Sequence, residues 1–170
     1  MGDHLYVARY LLMRVAEEHG LVVSYDPKIF REWNGSGCHT NFSTETMRSG
    51  EQGMTYIEDM MAKFKEKHAL HISLYGSGND KRLTGQHETS SSTVFSYGCG
   101  NRAASFRIPT ATMHANGKGY VEDRRPASNI DPYIVSAIIF DTGVLKESKG
   151  DEMVKHYLDW SKWLETATIE

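Results

Sequence analysis

Residues 117–133 read GKGYVEDRRPASNIDPY, and their spacing sets the architecture. Side chains two apart in a β-strand share a face. A strand over GYVED, residues 119–123, therefore aligns Tyr120 and Glu122 on one side, and Arg124 continues that row. Asp131-Pro132 then opens a helix over YIVSAIIFDTGVL, residues 133–145, apolar enough to be largely buried. One short strand with a polar face, followed by a buried helix, describes a sheet that is covered on one side only.

The pattern repeats upstream. In ASFRIP, residues 104–109, Phe106 and Ile108 face the core while Ser105 and Arg107 face the opposite way. In CHTNFS, residues 38–43, His39, Asn41 and Ser43 share one face, with Thr40 and Phe42 on the other. Further strands are expected at LVVSY (21–25) and LHISLY (70–75). Two amphipathic helices accompany them. The first spans residues 2–20, with Asp3 capping its start, Gly20 ending it and Leu5, Ala8, Leu12, Val15 and Ala16 at helical spacing. The second spans 54–68, with Thr55 and Glu58 at capping-box spacing and Met54, Ile57, Met61 and Phe64 as one stripe. Few helices among several short strands indicate an α+β fold, a mainly antiparallel sheet with helices on one face.

The bulk properties bound the function. A chain of 170 residues with 39% hydrophobic and 24% charged residues is long enough for one domain with a real core. A net charge of −3 gives no general reason to expect nucleic acid or a membrane surface as partner. No apolar run is long enough to span a bilayer, no signal peptide follows Met1, and two cysteines without a CxxC spacing fit a reducing compartment. The eight histidines form no HxxxH or HExxH pair.

What distinguishes the polar faces is their arginine. Arg82, Arg102, Arg107, Arg124 and Arg125 fall within 44 residues that hold a single lysine toward their end, Lys118. Planar guanidinium groups suit multidentate recognition of phosphate or carboxylate. With His39, Glu88 and Glu122, the inventory fits a polyanion and a divalent metal, or else a charged solvated face. The glycine-rich WNGSG and YGSGND match no phosphate-loop pattern and read as turns.

Taken in order, WNGSGCHTNFST, YGSGNDKRLTGQHET, NRAASFRIP and GKGYVEDRRPASNIDPY, with MGDHLYVARYLL before them, resemble glutamine synthetase of the eukaryotic type found in plants, algae and animals. The resemblance runs from Met1 to about Leu145. It implies a ligase that joins ammonia to glutamate through a γ-glutamyl phosphate made from ATP. It implies that His39 and Glu122 bind a divalent metal, Mg²⁺ or Mn²⁺, and that Asn34, Gly35 and Arg82 hold glutamate. Arg102 and Arg124 would stabilise the transferring phosphoryl group, and Ser43, Arg107 and Tyr120 would contact the nucleotide. Glu88, on the family's mobile flap within DKRLTGQHETSS, would close over glutamate and receive a proton from ammonium.

The resemblance also implies parts that these 170 residues do not contain: a small β-grasp domain and the segment carrying most of the metal-binding glutamates. The expectation is a partial catalytic domain over 1–147 and an appended amphipathic helical tail over 148–170, built on Met153, Tyr157, Trp160, Trp163 and Leu164. Such a chain is expected to be inactive alone and to assemble with other subunits, in the cytoplasm or in a plastid or mitochondrion, and not to be secreted. The alternative expectation is a non-catalytic subunit, derived from glutamine synthetase, with a structural role in a larger assembly.

Overall fold

The computed structural model describes residues 1–145, 149–152, 154–157 and 159. Residues 1–145 hold six α-helices, four strands and a 3-10 turn at Asn79–Lys81: α1 (Gly2–Glu18), β1 (Thr40–Phe42), α2 (Glu45–Ser49), α3 (Gly53–Glu66), α4 (His68–Leu74), β2 (Tyr97–Cys99), β3 (Phe106–Ile108), α5 (Thr110–His114), β4 (Val121–Asp123) and α6 (Pro132–Val144). The strands form one sheet in the order β1-β4-β3-β2, antiparallel at β1–β4 and β3–β4 and parallel at β2–β3. The fold is α+β with a mostly antiparallel sheet, as the alternation indicates.

Register follows the apolar residues. Phe42 pairs with Val121 and Phe106 with Asp123, so Phe42, Phe106, Ile108 and Val121 share the inner face. Against that face pack Ile57, Met60, Met61 and Phe64 of α3 and Val135, Ile138 and Ile139 of α6. The opposite face carries Asn41, Arg107 and Glu122, which are paired with one another across β1, β4 and β3. Asp131 caps α6 through its side chain, accepting from Tyr133 N at 2.8 Å and Ile134 N at 3.3 Å, with Pro132 in the first turn.

Several local expectations are corrected. Residues 70–75 are not a strand: through Leu74 they belong to α4, whose buried row is His68, His71 and Leu74. That row has helical spacing, but two of its members are histidines, which an apolar count passes over. Residues 21–25 join no ladder, and Val22 is 94% exposed. Tyr25 is held instead by a bond from Ser128 Oγ to its carbonyl, 2.7 Å. Asp3 does not cap α1, which begins at Gly2, and its carboxylate accepts from the Tyr133 hydroxyl. The Thr55–Glu58 box is not used either, because α3 starts at Gly53, before Thr55, without a side-chain cap.

The start of α3 is set by a close backbone approach. Gly117 has φ +86°, and a Cβ there would lie 2.5 Å from the Gly53 carbonyl carbon. Gly117→Ala combines a left-handed conformation with a backbone clash, and is expected to cost about 2–3 kcal/mol. A urea midpoint unchanged from the parent would overturn that reading of the turn.

The tail lies largely outside the described residues, including Met153, Trp160, Trp163 and Leu164. Residues 150–152 and 154–157 are helical, Val154 packs on the core and Lys67 Nζ pairs with Asp151 Oδ2 at 3.0 Å.

Candidate functional site

The polar face of the sheet converges on Glu122. Its Oε1 lies 3.0 Å from His39 Nδ1 and 3.2 Å from Arg124 Nη1, and its Oε2 accepts from Arg107 Nε. Arg124 Nη1 is also 3.3 Å from His39 Nδ1. Strand alternation brings these groups together: Arg107 sits directly across from Glu122, Arg124 follows it by two residues, and His39 precedes β1. The carboxylate is nearly buried, as is Arg124, whereas His39 and Arg107 are about one-third exposed. One carboxylate against two guanidinium groups leaves this face with excess positive charge. Burial, and then Arg124, hold the His39 imidazole below its usual pKa, so the ring is neutral near pH 7.

A second ion pair adjoins the first. Arg124 Nε donates to the Arg102 carbonyl at 3.0 Å, and Arg124 Nη2 reaches the Glu88 carbonyl at 3.5 Å. Arg102 Nη1 lies 3.8 Å from Glu88 Oε1, with both side chains more than half exposed. The sequence leaves Arg102 on the same parity as Phe106, which is inward. The structure resolves this, because Arg102 lies in the turn before β3 and is not bound by strand alternation. His87 and Glu88 both have positive φ, +52° and +59°, an unusual pair of adjacent left-handed residues without glycine.

Arg82 is placed differently. Its Nε donates to Asn79 Oδ1 at 3.1 Å, and its Nη2 donates to the carbonyls of Arg124, Arg125 and Pro126 at 3.1, 2.7 and 3.1 Å. It is 3% exposed, and burial, reinforced by Arg124, lowers its pKa to about 10, which still leaves it charged at pH 7. Gly35 and Gly37 leave room for it: a Cβ at Gly35 would meet Arg82 Cγ, and one at Gly37 would lie 2.9 Å from both Arg82 Nη1 and His39 Nε2. Asn34 beside them is exposed. Ser43 Oγ donates to the Gly119 carbonyl at 2.6 Å, fixing the approach to Tyr120, which is partly exposed.

A divalent ion of the Mg²⁺ type takes about six oxygen or nitrogen ligands. Glu122 and His39 offer two donors, Glu122 already engaged by Arg107 and Arg124, and no group of three His, Cys, Asp or Glu side chains gathers among the described residues. These residues do not make a metal centre by themselves.

The inner face holds a network that residue counting missed. Asp123 and Arg125 have the parity of Val121 and are fully buried. Arg125 donates from Nε to Asp123 Oδ1 at 2.9 Å and from Nη2 to Oδ2 at 2.7 Å. Its Nη1 lies 3.0 Å from His68 Nδ1. The Tyr75 hydroxyl donates to Asp123 Oδ2 at 2.7 Å and meets His71 Nδ1 at 2.6 Å, and His71 Nε2 meets Thr142 Oγ1 at 2.8 Å. Rings of Phe106, Tyr75, Phe95 and Phe64 surround the guanidinium carbon at 4.9, 5.1, 5.6 and 6.0 Å. Arg125 is therefore a core residue, although composition groups it with ligand arginines. Its parity with Val121 was the available signal.

Residues 1–150 match the family model described as glutamine synthetase, catalytic domain. The chain is 60% identical over 143 residues to a glutamine synthetase of Neurospora crassa, covering 84% of this chain and 39% of that protein. It is 57% identical over 143 residues to one of Saccharomyces cerevisiae, covering 84% and 38%, and 52% identical over 158 residues to one of Kluyveromyces lactis, covering 92% and 42%. The chain thus spans about two fifths of the length of these relatives. On the family match and these identities, the chain belongs to the glutamine synthetase family, within its catalytic domain.

Proposed function

We propose that this chain supplies the arginine-rich part of a glutamine synthetase active site and that the remaining ligands come from polypeptide outside these 170 residues. The observation that carries the reading is the convergence of His39, Arg107 and Arg124 on Glu122, with Arg102 and Glu88 adjoining. The reaction has two steps. The γ-carboxylate of glutamate attacks the γ-phosphorus of ATP, releasing ADP and forming a γ-glutamyl phosphate. Ammonia then attacks the γ-carbonyl and inorganic phosphate leaves. Both steps gather negative charge, which fixed guanidinium groups stabilise. Arg102 and Arg124 hold the transferring phosphoryl group, Arg82 with Asn34 and Gly35 orients glutamate, and Ser43, Arg107 and Tyr120 hold the nucleotide. The Glu88 segment closes over the acyl phosphate, excludes water and takes the proton that ammonium gives up. A divalent metal in such a site needs ligands beyond His39 and Glu122, so its part is left to the complete protein.

The test is glutamine formation from glutamate, ammonium and ATP with Mg²⁺. The assay uses the chain alone, then the chain mixed with a polypeptide carrying the remaining part of the Neurospora crassa relative. Turnover is expected in the mixture only, and is expected to be lost on Glu88→Ala. Turnover by the chain alone, lost in the same variant, would mean that its ligand set is complete after all. A folded and associated mixture without turnover would overturn the catalytic reading. It would leave a non-catalytic subunit, a second reading favoured by α1, where Val7, Tyr10, Leu11, Leu12 and Val15 are all more than half exposed.

A further inference from the structure

Asn79 opens the 3-10 turn Asn79–Lys81 that leads into Arg82. Its side chain is buried, yet the turn does not need it. The backbone closes the turn by itself: the Asn79 carbonyl accepts from Arg82 N at 3.1 Å and from Leu83 N at 2.9 Å, and the Gly78 carbonyl from Lys81 N at 3.2 Å. The side-chain amide is directed elsewhere. Its Nδ2 donates to the carbonyls of Tyr75 and Arg125, at 3.0 and 2.8 Å, and its Oδ1 accepts from Arg82 Nε at 3.1 Å. One planar group therefore ties together the end of α4, the chain that leaves β4 and the Arg82 guanidinium.

These bonds are not equally replaceable. The Tyr75 carbonyl also accepts from Ala127 N at 3.0 Å, and the Arg125 carbonyl from Arg82 Nη2 at 2.7 Å. Both keep a donor if the amide is removed. Arg82 Nε does not keep an acceptor: among the described residues, Asn79 Oδ1 is the one it has. A guanidinium group held at Nη2 can pivot about that atom, and a second bond at Nε fixes its plane. With Nε on Asn79 and Nη2 on the carbonyls of Arg124, Arg125 and Pro126, the nitrogen that the described residues leave for a ligand is Nη1. Gly37 keeps the space beside it clear, since a Cβ there would stand 2.9 Å from Nη1. We infer that Asn79 is a positioning residue, which through Oδ1 fixes the plane of Arg82 so that Nη1 is presented to the carboxylate of glutamate. The use for glutamate rests on the reading of Arg82 as a substrate contact; the positioning rests on the bonds themselves. A donor already aimed need not be ordered on each binding event, and affinity gains accordingly.

Two measurements separate the positioning from its use. On the full chain, exchange of the Arg82 Nε proton with water is followed by NMR in the parent, in Asn79→Ala and in Asn79→Asp. The proton is expected to exchange about tenfold faster or more in Asn79→Ala, which removes its acceptor. Asn79→Asp keeps the acceptor oxygen and loses both donations, so its exchange should stay near that of the parent. The second measurement is turnover in the mixture with the remaining part of the Neurospora crassa relative. There Asn79→Ala is expected to raise the glutamate KM about tenfold while kcat and the ATP KM hold. A chain merely less folded would lower turnover in proportion and move neither KM, and circular dichroism reads the folded fraction of each variant. Exchange unchanged in Asn79→Ala, or accelerated as much in Asn79→Asp, would overturn the positioning. Accelerated exchange with an unmoved glutamate KM would support the positioning and overturn its use for glutamate. A parent mixture without turnover would overturn the catalytic reading and the use for glutamate with it, while the exchange rates still decide the positioning.

Discussion

Arg125→Met is expected to destabilise the protein by about 3–5 kcal/mol, a large share of the roughly 5–15 kcal/mol that holds a typical domain folded. The substitution keeps most of the side chain's volume inside the ring cage of Phe64, Tyr75, Phe95 and Phe106. It removes the charge that compensates Asp123, a carboxylate with no exposure. Burial disfavours the Asp123 anion, yet its pKa lies below the ordinary value because Arg125 outweighs that burial. Without Arg125, the Tyr75 hydroxyl is the side-chain donor left to it among those described. The penalty comes from an uncompensated buried charge, so removing both charges should cost less. An Asp123→Leu, Arg125→Met double variant is expected to recover part of the loss in urea unfolding. A single-variant loss below about 1 kcal/mol would show that the pair contributes little.

Acid is the second strong lever. Burial first, and then Arg125, depress the pKa of His71 to about 3, and the same two causes lower that of His68. In the unfolded chain both rings titrate near 6.5. Between roughly pH 6.5 and 3, the unfolded state therefore binds a proton at His71 that the folded state refuses, and stability falls as pH falls. For His71 alone the expected loss from pH 7 to pH 5 is about 2 kcal/mol, approaching about 1.4 kcal/mol per unit at its steepest. Asp123 has a lowered pKa and acts in a different window, because its contribution is lost only as pH falls below about 4. Urea titrations at pH 7, 6 and 5 on the parent and on His71→Gln separate the terms. The variant should show a shallower pH slope at lower absolute stability, and equal slopes would overturn the assignment to His71.

Legibility divided along physical lines. The strands at 40–42, 106–108 and 121–123 were readable because inward Phe42, Phe106, Ile108 and Val121 alternate with polar residues. The same alternation aligns Glu122 with Arg124 on one face of its segment and turns Arg107 away from the core on its own. Where a polar residue occupies a core position, the reading failed. His68 and His71 broke the apolar stripe of α4, so a helix looked like a strand. Arg125 looked like a ligand because its aromatic cage comes from α3, β3 and the two ends of the chain between α4 and β2, which are distant in sequence. Leu21–Tyr25 has strand composition, but strand formation needs a neighbour and none of the described residues supplies one. Arg82 could be recognised as a site arginine by resemblance; that its Nη2 is spent on three backbone carbonyls could not, since those bonds depend on how the chain turns after β4.

The inner and outer charge pairs of β4 have a consequence for how the chain finds its register. Glu122 and Arg124 look outward, Asp123 and Arg125 inward. A slip by one residue would put Asp123 in the place of Glu122 and Arg125 in the place of Arg124, but it would also put Arg124 in the fully buried place of Asp123, so charge tolerates the error on the outer face and penalises it on the inner one. Shape adds to that penalty: the slipped strand would press Glu122 into the fully buried place of Val121 and take Arg125 away from its four rings. The outer pair alone would accept a shifted threading, and the inner pair in its aromatic cage acts as the proofreader that rejects it.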